Sequence, residues 1–261
     1  MLYKLAPLNG LCDRLKHVAE YSIYAPNSIL LWCPTDSCPA RWDELFAAQP
    51  DGVMIEDVTE QEYRLSKAAK CQWFENPDAI SERRGRAIHA MLPDVQPDIM
   101  GMVRFQDRHI GLTSVHVRRG EWDTRIPPKQ IKKTWLDMDR EGIMLVGENV
   151  CRGETLALYS DQADVAVAWL TMLRCCYNVI PPDLDEFDAS KFRQTSAKRA
   201  LADLIEMSRA HKIIACGPGG FSRTAAEIGN NPLFYQVDLA KFQKRLWVRD
   251  EEKAMQERAK Q

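Results

Sequence analysis

The sequence has no long hydrophobic run and almost no net charge. No uninterrupted apolar stretch approaches the ~20 residues of a membrane-spanning helix, and the first residues, MLYKLAPLNGLCDRLKH, lack the apolar core of a secretory signal peptide. With 35 Lys and Arg against 37 Asp and Glu, the net charge is −2, so no overall field attracts nucleic acid or an anionic membrane. We therefore expect a cytoplasmic protein with no membrane span and no nucleic-acid partner, in which any anion site is local.

Zinc-binding cysteine pairs are absent as well. None of the eight cysteines forms a CxxC pair, and Cys33 and Cys38 have no matching second pair or histidines, which argues against a zinc site. A chain of 261 residues, 45% of them apolar, can build hydrophobic cores without a disulfide framework. We expect the cysteines to be free, buried thiols in a reducing compartment.

Predicted strands and helices alternate along most of the chain. Apolar runs such as SILLWC, TSVHV, TLALYS and KIIAC predict buried strands, and segments with helical spacing lie between them. This alternation indicates an α/β fold with parallel sheets covered by helices. A seam near residue 108 predicts two Rossmann-like domains, 1–108 and 109–261, that face each other across a cleft, and a charged helix is predicted over 239–259. In such sheets, ligands bind at the carboxyl ends of the strands.

Two adjacent arginines follow one of these strands, in the segment VHVRRGEWD. A guanidinium fork matches a phosphate or carboxylate in bidentate fashion. Strand alternation places Arg118 and Arg119 on opposite faces, with His116 on the face of Arg118. The segment therefore predicts an anion site, unless both arginines pair with local acids such as Glu121 and Asp123.

A glycine-rich turn joins a strand to a helix in the segment KIIACGPGGFSRTAAEIG. Gly217, Gly219 and Gly220 leave backbone N–H groups accessible, and the positive end of the following helix points at the turn, which suits a phosphate. Ser222 and Arg223 can add donors. The turn fits neither the G-x-G-x-x-G pattern nor a P-loop, so a plain tight turn stays an alternative.

Acidic residues are further candidates for the site, and two of them lie at the starts of predicted helices. Asp161 follows the strand TLALYS and could cap the next helix or accept two hydrogen bonds from a guanine base. Asp13, next to Arg14 in NGLCDRLKHV, could cap a helix or face the cleft. The pairs Asp137/Asp139 and Asp183/Asp185 are interpreted as solvated acids rather than metal ligands, so we expect no metal.

The order of these segments resembles the fucosyltransferase superfamily that includes the α-1,6-, the rhizobial nodulation and the protein O-fucosyltransferases. The segments that carry the resemblance are GLCDRL, LLWCPTDSCPARWDELF, VHVRRG, LYSDQADV and ADLIEMSRAHKIIACGPGGFSRTAAEIG. The resemblance implies a two-domain GT-B fold, with an acceptor-side domain 1–108 and a nucleotide-sugar domain 109–261. It also implies inverting transfer of fucose from GDP-fucose to a glycan or other hydroxyl acceptor, without a metal or cofactor.

Site residues follow from the resemblance by position. Arg118 would hold the diphosphate, with His116 and Arg119 beside the nucleotide, and Asp161 would face the guanine. The turn with Gly219, Gly220, Phe221 and Ser222 would cap the phosphates, and Arg14 would belong to the first motif at the substrate.

Two departures from the family pattern concern chemistry. Asp13 stands where the family has Asn, and Gly219 and Gly220 stand where serines are common. Asp13, Glu121 and Asp123 are candidates for the general base, with Asp13 favoured. Another nucleotide-sugar donor (GDP-mannose, GDP-rhamnose or a UDP-sugar), a non-catalytic binding protein and an unrelated phosphate-ester enzyme stay open. Nothing in the sequence indicates the oligomeric state.

Overall fold

The computed structural model describes residues 1–5, 10–74, 81–107, 109–119, 128–151, 153–188, 194–217 and 220–235. Within these residues nine strands form two parallel sheets, which confirms the predicted α/β, GT-B-like architecture. No helix in the described part of the chain combines the length and apolarity needed to cross a bilayer.

The first sheet has four strands in the order β3-β2-β1-β4. Its strands are β1 (Leu2–Lys4), β2 (Ser28–Trp32), β3 (Val53–Asp57) and β4 (Ala69–Lys70), and the helices between them are α1 (Leu11–Tyr24), α2 (Trp42–Leu45) and α3 (Glu60–Leu65). Two more helices, α4 (Ser81–Met91) and α5 (Pro97–Met102), lead to the second sheet.

The second sheet has five strands in the order β7-β6-β5-β8-β9. Its strands are β5 (His109–Val117), β6 (Thr155–Ser160), β7 (Asn178–Ile180), β8 (Ala210–Cys216) and β9 (Leu233–Tyr235), and the helices are α6 (Pro128–Asn149), α7 (Ala163–Arg174), α8 (Ala197–Arg209) and α9 (Gly220–Gly229). The strand order reverses between β5 and β8, and their carboxyl ends form the crevice where ligands bind in open α/β sheets.

One hydrophobic core extends through both halves of the chain. It includes Leu15 and Ile88 from the first half and Leu201, Ile213 and Ala225 from the second. The helices α1 and α4 pack against α9, and α5 packs against α8. In sequence, the strands of the first sheet come before residue 108 and those of the second sheet come after it. Because the two halves share this core, the division into domains 1–108 and 109–261 stays a prediction.

Several details differ from the sequence-based expectations. The strand β4, which follows α3 after only three residues, was not among the predicted strands. The charged helix predicted over 239–259 lies outside the described residues. None of the eight cysteines forms a disulfide, but the expectation that all are buried was wrong, because three are exposed: Cys151, Cys175 and Cys176.

Candidate active site

The segments that carry the two arginines and the glycine turn meet at the carboxyl ends of β5 and β8. The backbone N–H of Arg118 donates to the carbonyl of Cys216 at 3.0 Å. Gly217 has φ +121°, and a Cβ on it would lie 2.3 Å from the carbonyl oxygen of Arg118. Only a residue without a side chain fits this left-handed, closely packed position. The pairing of β5 with β8 thus brings together two segments that lie about 100 residues apart in sequence.

The two arginines have different partners. Arg118 Nε lies 4.0 Å from Asp161 Oδ2, and both side chains are 15% exposed. The guanidinium of Arg119 pairs with Asp139 on α6, which also accepts a hydrogen bond of 2.8 Å from Trp169 Nε1. The interpretation of Asp139 as a solvated acid was therefore wrong, because this carboxylate neutralises Arg119.

Asp161 lies between the two arginines. Besides its contact with Arg118, its Oδ1 accepts a hydrogen bond of 3.4 Å from the backbone N–H of Arg119. Asp161 immediately follows β6, and β6 pairs with β5 in parallel, so both strand ends reach the same edge of the sheet. The carboxylate of Asp161 therefore lies beside Arg118, and its contact with a guanine base stays a prediction.

His116 links β5 to the first turn of α9. Its Nδ1 and the hydroxyl of Ser222 share a hydrogen bond of 2.7 Å, and its ring centroid lies 5.2 Å from that of Phe221. Burial lowers the pKa of His116 to about 3, and the charge of Arg118 adds to the effect. The imidazole is therefore neutral near pH 7. Ser222 is 2% exposed, so its hydroxyl supports the helix end rather than facing solvent.

The amino end of α9 faces the start of α1. A Cβ on Gly220 would lie 3.7 Å from Asp13 Oδ1 and 3.7 Å from Lys16 Nζ. The hydroxyl of Thr224 donates to the carbonyl of Gly220 at 2.8 Å. The first backbone N–H groups of a helix have no partner within the helix, and the helix dipole places positive charge there. This end of α9 thus offers donors to an anion, with Asp13 beside it.

Comparison with solved structures gives matches that extend over most of the chain. The fucosyltransferase NodZ from Bradyrhizobium is 13% identical, with a TM-score of 0.54 over 85% of this chain and 92% of that one. NodZ α-1,6-fucosyltransferase co-crystallised with GDP is 13% identical, with a TM-score of 0.55 over 85% and 91%. A mutant of Arabidopsis thaliana FUT1 in complex with GDP is 9% identical, with a TM-score of 0.56 over 90% of this chain and 69% of that one. The chain has the fold of these fucosyltransferases. No protein-family model and no curated protein matches the sequence.

Arg14 takes a different place in this fucosyltransferase fold from the one predicted. Its side chain is fully buried, and its guanidinium donates to the carbonyl of Cys33 at 2.7 Å and to Thr35 Oγ1 at 2.9 Å. It also lies over the ring of Trp32, 5.0 Å from the centroid. Arg14 therefore anchors α1 to the end of β2, and the predicted contact with substrate has no support in this geometry.

Two predicted site residues, Glu121 and Gly219, lie outside the described residues, as does Asp123. Among the residues that the structure describes, no group of three or more His, Cys, Asp or Glu side chains could hold a metal ion.

Two residues near the site did not emerge from the sequence. Lys16 is one turn after Asp13 on α1, and the i, i+3 spacing of the two residues was the signal that could have identified it. Cys12 is buried beside Thr224, and burial raises the pKa of its thiol to about 12. The thiol therefore stays protonated and is not a nucleophile.

Proposed function

We propose that the protein is an inverting glycosyltransferase that transfers fucose from GDP-fucose to a hydroxyl group of a glycan or other acceptor, without a metal ion. One observation carries the proposal: Arg118, Asp161 and the amino end of α9 meet at the strand-order reversal of a chain with the fucosyltransferase fold. The structures of that fold named above include two complexes with GDP.

Arg118 and the first turn of α9 would stabilise the leaving group. As the bond between the anomeric carbon and the β-phosphate oxygen breaks, the electron pair stays on GDP and its negative charge grows. Donors aimed at this charge bind the transition state more strongly than the ground state, which accelerates the reaction. Asp161 would accept hydrogen bonds from the edge of the guanine. Arg119, whose guanidinium pairs with Asp139, donates its backbone N–H to Asp161 and would help to hold this carboxylate in place.

Asp13 would act as the general base. In this role it would take the proton of the acceptor hydroxyl while the hydroxyl oxygen bonds to the anomeric carbon on the face opposite the departing diphosphate. A positioned base of this kind contributes about 10²–10⁴-fold to the rate. Glu121 and Asp123 stay the alternative bases.

The proposal is tested by replacing Arg118 with alanine and measuring fucose transfer and GDP release. Loss of the leaving-group contact should lower the rate by about 10²–10³-fold. Arg118→Lys should also be poor, because an ammonium cannot form the bidentate fork. Arg86→Ala, on an exposed face of α4 with its side chain 72% exposed, is the matched control and should keep full activity.

A folded Arg118→Ala protein with near-normal transfer would contradict the assignment. Thermal-shift measurements with GDP-fucose, GDP-mannose, GDP-rhamnose and UDP-sugars identify the donor. Binding of GDP-fucose with neither transfer nor hydrolysis would indicate a non-catalytic relative. Turnover of simple phosphate esters without any response to GDP would indicate an unrelated enzyme.

A further inference from the structure

Lys16 is a buried lysine for which no described residue provides a partner. Its side chain lies on α1 and the residue is only 7% exposed. Within the described part of the chain, its ammonium group makes no hydrogen bond or ion pair, although Asp13 and Glu20 lie on the same helix. The carboxylate of Glu20 instead pairs with Arg84 at 3.1 Å. The ammonium nitrogen is not among the fully buried polar atoms that lack a partner, so the stem of Lys16 is packed against the protein while its charged end stays open to an anionic ligand.

The ammonium group of Lys16 points at the amino end of α9. The position that a Cβ on Gly220 would occupy is 3.7 Å from Lys16 Nζ. This is the positive end of the helix dipole, where a second positive charge is unfavourable and an anion is stabilised. Among the described residues, Asp13 is the one carboxylate that lies equally close to this point, 3.7 Å from the same position, and it offsets part of the positive charge of Lys16 and the helix end.

We propose that Lys16 and the first turn of α9 together bind one phosphate group of the donor's diphosphate. This inference rests on the proposed function and adds to it a phosphate contact from α1. A phosphate placed there receives backbone N–H groups from α9 and a point charge from Lys16, which is how lysine contributes to phosphate sites. The same contact ties the first half of the chain to the donor bound on the second half.

The test measures binding of GDP and of inorganic pyrophosphate by calorimetry to the full-length wild type, to Lys16→Met and to Lys67→Met. Methionine keeps an unbranched side chain that tolerates burial, and Lys67 is an exposed lysine of the same half of the chain. Loss of one charge-assisted contact should weaken both ligands by about 10-fold to 100-fold in Lys16→Met. Lys67→Met should bind both as the wild type does.

Thermal melting without ligand separates a binding role from a structural role. Because Lys16→Met removes a charge that lacks a partner in the described residues, the variant should melt at or above the wild-type temperature. A clearly lower melting temperature would show that the protein itself holds Lys16, and would overturn the inference.

The binding outcomes distinguish the inference from the proposed function. If GDP binds wild type and Lys16→Met equally, the inference is overturned and the proposed function stands. If pyrophosphate binds in a Lys16-dependent way but GDP and GDP-fucose do not bind, the inference is supported and the proposed function fails. If the wild type binds neither ligand, both are overturned.

Discussion

Replacing Arg84 by methionine should strongly destabilise the protein, because this residue joins three helices. Its guanidinium, 1% exposed, contacts Glu227 on α9 through Nε at 3.0 Å and Nη2 at 2.7 Å, and Glu20 on α1 through Nη1 at 3.1 Å. Both carboxylates are buried, with side chains 0% and 7% exposed. Arg84→Met therefore leaves two buried negative charges without the cation that compensates them.

The magnitude follows from the cost of an uncompensated buried charge. Breaking a buried ion pair by removing one partner costs about 3–5 kcal/mol of unfolding free energy. Burial raises the pKa of Glu20, and Arg84 opposes that rise, so the pKa of Glu20 should be higher still in the variant. A carboxyl group whose folded pKa exceeds its unfolded pKa loses stability as the pH rises through the folded value. The loss caused by Arg84→Met should therefore be larger at pH 8 than at pH 5, by about 1–2 kcal/mol.

Urea denaturation of the wild type, Arg84→Met and Arg86→Met at pH 5 and pH 8 measures both effects. Arg86 lies on the same helix, with its side chain 72% exposed and a surface ion pair to Glu82 at 3.5 Å. Its replacement should cost no more than about 1 kcal/mol at either pH. The reasoning is refuted if Arg84→Met costs as little as Arg86→Met, or if its cost is the same at both pH values.

Two further predictions concern the site. Gly217→Ala should destabilise the protein by about 1–3 kcal/mol and weaken GDP binding, because alanine is strained at this positive φ and its Cβ would collide with the carbonyl of Arg118. Urea denaturation measures the loss of stability. Gly101→Ala is the control, since a Cβ at Gly101 would have open space around it. Burial lowers the pKa of His116 to about 3 and of His17 to about 4. The two neutral rings therefore contribute fully to stability above pH 6.5, and this contribution decreases as the pH falls toward the two lowered pKa values. Neither ring should titrate above pH 5 by NMR, and a midpoint near 6.5 for His116 would contradict its burial.

The central strands were predictable because they are short, continuous apolar runs. The segments TSVHV, TLALYS and KIIAC lie in β5, β6 and β8, which are buried in the middle of a parallel sheet. The two-residue strand β4 was missed, since such a short segment has no periodicity. Its pairing with β1 depends on the tertiary fold.

The candidate site was predictable where it depends on strand ends. Parallel strands carry their carboxyl ends to one edge of the sheet, so the places of Arg118, His116 and Asp161 follow from local pattern. The partner of Arg119 could not be predicted from local pattern, because Asp139 lies on α6, 20 residues further along the chain. The position of Lys16 at α9 depends on packing between the two halves of the chain.

By itself the sequence determined the central strands, the helices between them and the polar groups that follow the strands, because these depend on spacing between near neighbours. Only the tertiary structure decided how charges are paired. In the folded chain Arg119 pairs with Asp139, Arg14 binds the end of β2, and Lys16 lies at the amino end of α9. The physical reason is that an ion pair or an anion site depends on distances of a few ångströms between helices that are far apart in sequence, and hydrophobic packing of the shared core sets those distances.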